Sequence, residues 1–359
     1  LKAVVYTDTI QMFVLIGGSI LITVFGLNEI GGWQSMVDTS RDSAMSLWRS
    51  ASDTEYPWTA ILFGAPILGI WYWCTDQFIV QRALAARNIS VARKATIFAA
   101  FLKLTPMFLF VVPGMIAYTY SQTNLEFAEQ VGDGAATLPV MVQTLLPAGL
   151  RGLVAAGILS ALMSSLSSVF NSCSTLITLD IYKKFKPDIS EKKLVRIGQL
   201  STFFLVGIGI LWIPFQETLS SGGLFQYIQG IQAYLSPPIA AAFLLGLFIK
   251  RINSSGVMSA FYLGAVLGLS RLIMEVFAID NIFTQIHFLH FALFLFLLTS
   301  FVMIVVSMLT PPPQYDKIKD LVYSSENFNS NEVNYQKKID LILTVVVIVL
   351  VFIIWFKFI

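Results

Sequence analysis

The stretch Gly152-Leu-Val-Ala-Ala-Gly-Ile-Leu-Ser160-Ala-Leu-Met-Ser-Ser-Leu-Ser-Ser-Val-Phe170-Asn-Ser-Cys-Ser-Thr-Leu-Ile-Thr-Leu179 runs for 28 positions without a charged residue. A helix needs about 20 apolar residues to cross a bilayer, so this segment is long enough with a turn or two to spare. Working outward, eight more segments meet the same requirement, giving spans at roughly 8–27, 57–81, 95–121, 150–180, 195–216, 222–249, 253–274, 284–310 and 339–358. The ~10-residue alternating segments of a β-barrel are absent. The composition agrees: 56% of residues are hydrophobic and only 12% charged, with a mean hydropathy of +0.75. A soluble domain carries roughly 25% charged residues. A soluble enzyme, a disordered scaffold and a nucleic-acid binder are therefore excluded. Cys74 and Cys173 both sit in apolar runs and form neither a disulfide framework nor a metal cluster. The chain reads as an all-α, multi-pass membrane protein.

The connections take sides. Arg82, Arg87, Arg93 and Lys94 fall in one, Lys183, Lys184, Lys186, Lys192, Lys193 and Arg196 in another, then Lys250 and Arg251, then Lys317, Lys319, Lys337 and Lys338. With Lys2, one side collects 17 of the 23 basic residues. The other side holds Arg41, Arg49, Arg151, Arg271 and Lys357. The basic side is expected to be cytoplasmic, which puts residue 1 inside and the C-terminus outside. Loops 28–56 and 123–149 are then external, the first with a short interfacial helix over Met36–Trp48. Residues 311–338, opened by Pro311-Pro312-Pro313 and rich in Asn, read as a cytoplasmic linker. The chain starts Leu1-Lys2-Ala3 with neither Met nor a signal peptide, and its beginning is expected to be cut.

Polar groups inside a span are costly and mark function by default. Ser160, Ser164, Ser168 and Ser172 recur at i, i+4 and share a helix face. Helix packing accounts for such a stripe, and so does a sodium site built from hydroxyls and carbonyls. Lys103 lies nine residues beyond Lys94, about 13 Å deep at the helical rise. Either it snorkels or it presents its ammonium to ligand hydroxyls in an aqueous cavity. Asp8 sits about 9 Å beyond Lys2, as a cap, as the partner of a basic residue, or as a carboxylate on an ion path. The sixth span carries Tyr227, Gln229, Gln232 and Tyr234 before Ser236-Pro237-Pro238, which suits a cavity wall beside a hinge. Trp71-Tyr72-Trp73 suits an interface belt or that same wall. His287 and His290 have no readable catalytic partner and are assigned to packing.

At these residues the sequence stops being generic. Val5-Tyr6-Thr7-Asp8-Thr9-Ile10-Gln11, Trp71-Tyr72-Trp73-Cys74-Thr75-Asp76-Gln77-Phe78, Ala161-Leu162-Met163-Ser164-Ser165-Leu166-Ser167-Ser168, Asp180-Ile181-Tyr182 and Tyr234-Leu235-Ser236-Pro237-Pro238-Ile239-Ala240-Ala241 resemble the sodium/glucose cotransporter branch of the solute:sodium symporters. The resemblance runs from residue 3 to about 310. It implies a leucine-transporter-type fold of five-plus-five inverted repeats. Residues 1–27 would be the fifth core helix, 28–56 an external loop and 57–249 the complete second repeat. Residues 250–359 would be C-terminal helices, with four core helices lying outside the sequence.

The resemblance also implies the site. Tyr72 would stack on a sugar ring as the inner gate, with Trp73 behind it, while Lys103 and Gln229 would hydrogen-bond the sugar. Ala161 (by its carbonyl), Ser164 and Ser165 would form half of the main sodium site. Asp8, Ser167 and Ser168 would form a second sodium site or exit path. Gly69 departs from relatives that present a side chain to the sugar there. The absence of cysteines from 123–149 and the short linker point to a bacterial cytoplasmic membrane. The implied activity is Na+-coupled symport of a hexose by alternating access, with Na+ as the co-transported ion. Partners are then the sugar, Na+ and the lipid bilayer, with no nucleic acid and no obligate protein partner. Rivals are a myo-inositol or other small-solute symporter of the same family, a passive channel, and an intramembrane serine protease, which lacks a base to face its serine.

Overall fold

A computed structural model describes residues 2–40, 45–132, 134–219, 224–277, 279–323 and 334–357. Among them, nine helices are long and apolar enough to cross a membrane. They are α1 (Lys2–Glu29), α2 (Trp58–Thr75), α3 (Ile89–Thr123), α4 (Ala148–Phe185), α5 (Glu191–Leu219), α6 (Leu224–Phe248), α7 (Ser254–Val276), α8 (Phe288–Leu309) and α9 (Asn334–Lys357). Arg41, the Ser220–Gly223 opening of the sixth span and the Asn-rich centre of the 311–338 linker lie outside the described residues.

Two boundaries differ from the sequence reading. The second span stops at Thr75 rather than near 81, because Asp76 starts a new helix, Gln77–Leu84. Its carboxylate accepts the Phe78 N–H at 3.0 Å, the usual way a short acidic side chain satisfies an orphan donor at a helix start. Between the first and second spans the short helix is Trp33–Thr39, earlier than the expected Met36–Trp48 stretch. Gly31 and Gly32, at φ of 85° and 100°, turn the chain directly after α1.

Three membrane helices contain π-helical turns: Trp71–Thr75 in α2, Met107–Val111 in α3 and Leu176–Tyr182 in α4. In α2 the Trp71 carbonyl accepts both the Asp76 N–H at 3.1 Å and the Thr75 hydroxyl at 2.6 Å. In α3, Pro106 has no N–H for the Leu102 carbonyl. Thr105 takes that carbonyl up instead, through its own N–H at 3.0 Å and its hydroxyl at 2.7 Å.

The chain divides into two compact units. The first comprises 1–46, 96–212 and 346–359, and its core joins α1, α4 and the C-terminal half of α3 around Ile22, Ile116, Met141 and Val154. The second comprises 47–95 and 213–345, and packs α6, α7 and α8 with α2 around Leu68, Ala233, Tyr234, Phe291 and Leu295. Close approach in each rests on glycines. A Cβ on Gly157 would meet Val14 at 2.5 Å, and one on Gly18 would meet Val154 at 2.9 Å, which fixes α1 against α4. In the second unit, Cβ atoms on Gly264 and Gly268 would meet Pro238 at 2.4 Å and the Tyr234 carbonyl at 2.3 Å.

Candidate functional site

The Val14–Gly157 and Gly18–Val154 contacts set an antiparallel register between α1 and α4. Followed one and a half turns toward the start of α1, that register puts Asp8 opposite Ser164, and the Ser164 hydroxyl donates to the Asp8 carboxylate. Beside this pair lies a cavity of about 300 Å³. Asp8, Gln11 and Ser19 of α1, Thr105 and Pro106 at the break in α3, and Ala161 and Ser165 of α4 are among its lining residues. Oxygen is thus the ligand atom on offer: a carboxylate, hydroxyls and an amide on an apolar wall.

The expected ion-site residues separate on inspection. Asp8, Ala161, Ser164 and Ser165 come together at this corner. Ser167 returns its hydroxyl to its own helix, donating to the Met163 carbonyl at 2.8 Å. Ser168 is buried one turn further along α4, and its carbonyl accepts the Ser172 hydroxyl at 2.9 Å.

The expected sugar contacts fall in both units. Lys103 belongs to the first; it is exposed at the last helical residue before the Leu104–Thr105 break, and its neighbours Leu102 and Thr105 line the cavity. Tyr72, Trp73 and Gln229 belong to the second. Tyr72 is half-buried on the π turn of α2, edge-on to Trp73 at 5.3 Å between ring centroids. That π turn packs against α6, the helix carrying Gln229. The two histidines do more than pack. His287 caps α8, accepting the Leu289 N–H and bonding the Glu55 carbonyl at 2.8 Å, and His290 bonds the Thr59 hydroxyl at 2.9 Å.

The sequence profile described as the Sodium:solute symporter family matches residues 1–264. The chain belongs to the sodium:solute symporter family. Sodium/glucose cotransporter 1 of Oryctolagus cuniculus is 38% identical over 93% of this chain and 57% of its own length. A sodium/mannose cotransporter of Bos taurus is 36% identical over 90% of this chain and 60% of its own. The chain therefore spans little more than half the length of these relatives. A solved structure, described as the substrate-bound outward-open state of a Na+-coupled sialic acid symporter, superposes with a TM-score of 0.68. It is 24% identical, covering 87% of this chain and 63% of that one. That likeness bears on the fold alone, and agrees with the all-helical, leucine-transporter-type architecture expected.

Sequence reasoning missed two groups in this family member. Gln11 lines the cavity one turn beyond Asp8, and its signal was an amide three residues after a membrane carboxylate. Arg271, counted only as an outward cation, is 2% exposed in the core of the second unit. Its signal was an Arg-x-x-x-Glu pair closing the charge-free run 252–270.

Proposed function

We propose that the chain carries the ion half-site and most of the sugar-contacting helices of a Na+-coupled hexose symporter working by alternating access. The observation that carries this is the α1–α4 corner, where Asp8, Ala161 and Ser165 line one cavity and the Ser164 hydroxyl donates to Asp8. A hard monovalent cation needs several oxygen ligands, and symporters draw them from hydroxyls and helix carbonyls at midplane. In this reading Na+ is cargo. Ala161 (through its carbonyl), Ser164 and Ser165 serve the main sodium site; Asp8 with Ser168 and Ser167 serves a second site or the exit path. Tyr72 closes on the sugar ring with Trp73 behind it, and Lys103 and Gln229 hydrogen-bond its hydroxyls. Residues 1–27 then act as the last helix of the first repeat and 57–249 as the second repeat, in a bacterial cytoplasmic membrane with residue 1 inside. Glucose and mannose, named for the relatives, set the substrate class; myo-inositol is the rival cargo.

Each Na+ crossing ~100 mV contributes about 2.3 kcal/mol, enough for roughly 50-fold accumulation from voltage alone. The test uses the protein expressed from its native gene and reconstituted in liposomes with labelled glucose, mannose and myo-inositol. Hexose accumulation under an inward Na+ gradient, abolished by a sodium ionophore, is the expected result. Uptake that ignores Na+ would make it a channel or uniporter, and preference for myo-inositol would move the substrate class.

A further inference from the structure

The core of the second unit closes around a charge that transport, as read above, does not use. The Arg271 side chain is 2% exposed. Its guanidinium carbon lies 5.0 Å from the Tyr234 ring of α6 and 4.5 Å from the Phe291 ring of α8. Its Nε donates to Glu275 Oε1 at 3.0 Å, and one Nη donates to the Ile286 carbonyl at 2.6 Å. Tyr234 donates its hydroxyl to the same Glu275 oxygen at 2.5 Å. One arginine thus gathers α6, α7, α8 and the Ile282–Gln285 corner into a single cluster.

The cluster grips α6 where that helix is weakest. Pro237 and Pro238 lack the N–H groups that the carbonyls of Ala233 and Tyr234 would accept in an unbroken helix. Bending resistance is lowest between these residues, which separate the Gln229-bearing half of α6 from the half ending at Phe248. Gly268 lets α7 press against the Tyr234 carbonyl from one side, and the tyrosine ring and hydroxyl are held from the other by Arg271 and Glu275. Tyr234 is anchored in this way one turn before the two prolines. Its anchoring sets the roll of the turns before it, and Gln229 is five residues earlier.

We propose that Arg271, through Glu275 and Tyr234, is a positioning unit for α6: it holds the segment 224–234, and with it the Gln229 amide, in the orientation that meets the sugar. This rests on the reading of Gln229 as a sugar contact. Arg271 is not one of the residues read as sugar contacts. It acts by removing the rotational freedom that the hydrogen bonds missing at Pro237 and Pro238 would otherwise give the ligand-facing half of α6.

Because Arg271→Met removes a buried cation and can abolish folding, the decisive variant is Tyr234→Phe, which keeps the ring and deletes only the hydroxyl. It is compared with Gln229→Ala and the double variant, in the protein expressed from its native gene, by Na+-driven uptake of labelled glucose normalised to transporter in the membrane. Tyr234→Phe is expected to raise the half-saturating glucose concentration about three- to tenfold. The half-saturating Na+ concentration, read at saturating glucose, should stay within about twofold, because the deleted hydroxyl bonds Glu275 and none of the residues read as ion ligands. The double variant should match Gln229→Ala alone, since a misplaced amide and an absent one are equivalent. A loss of protein with unchanged glucose dependence in what remains would make the cluster merely structural and overturn the inference. So would effects that multiply in the double variant. Failure of Gln229→Ala to change glucose dependence strikes instead at the assignment of Gln229 and takes the inference down with it. The two failures are thus told apart by the single variants.

Discussion

The corner at Asp8 and the core at Arg271 each place an ionisable side chain inside a helical bundle, yet treat it oppositely. Asp8 is half-buried, has a serine hydroxyl on one oxygen, and faces a cavity of about 300 Å³. Arg271 is buried at 2% exposure and held by a carboxylate, a backbone carbonyl and two aromatic faces, with a cavity of about 250 Å³ beside it. A half-buried charge at a cavity wall is open to a ligand. A buried charge held by several groups of its own chain fixes geometry. The cost of a membrane charge is met by the protein's own groups at Arg271 and, under the proposed function, by an ion at Asp8.

If that contrast holds, the largest effect in the molecule is on stability and comes from Arg271. Arg271→Met should destabilise by about 3 kcal/mol, the low end for a broken buried pair because Glu275 is 36% exposed. Thermal unfolding in detergent would show it, and an unchanged midpoint would mean that the aromatic faces alone hold the core. Gly268→Ala comes next. Its Cβ would lie 2.3 Å from the Tyr234 carbonyl, and such overpacking costs about 1–3 kcal/mol. Gly207→Ala on α5, whose Cβ would meet nothing within 4 Å, serves as the control.

At the open corner the effects should fall on ion dependence instead. Asp8→Asn keeps an acceptor for Ser164 and deletes the charge. The half-saturating Na+ concentration should rise about tenfold, corresponding to ~1.4 kcal/mol, with little change in melting. A melting loss without a Na+ shift would recast Asp8 as a structural partner, and the contrast between the two regions would vanish. Ser165→Ala removes one hydroxyl from the cavity wall and should shift Na+ activation about fivefold. Ser160→Ala, at an exposed position outside that wall, should not. Equal shifts in both would favour helix packing as the origin of the serine stripe.

How far these regions could be read from the chain alone follows the same division. Span number and type were legible because hydropathy over about 20 residues is a local property. The serine stripe was legible as a face because its spacing is that of a helix. The pairing of α1 with α4 was not, since it depends on Gly18 and Gly157 meeting Val154 and Val14 across more than a hundred residues. Nor were the π turns, which at Trp71 and Leu102 hinge on which side chain wins a single carbonyl. The burial of Arg271 was not legible because a charge near a span end and a charge in a core look alike until the partners on α6 and α8 are placed.

The smallest expected effect tests the edge of the ion corner. Ser167 lies in the same motif as Ser164 and Ser165, and resemblance gives it a part in a second site or exit path. Its hydroxyl, however, donates to the Met163 carbonyl at 2.8 Å. A serine back-bonded to i−4 has spent its proton on a backbone group that already has a helical partner. Pulling the hydroxyl away costs little, so Ser167 can greet a passing ion without holding a resting one. Ser167→Ala should therefore change the half-saturating Na+ concentration by less than about twofold, within the ~0.4 kcal/mol spread of an exposed hydroxyl. Any effect belongs in the rate of Na+ release, read as a slowed turnover at saturating Na+ and sugar. A shift as large as that of Ser165→Ala would put Ser167 among the resting ligands and widen the open corner by one turn of α4.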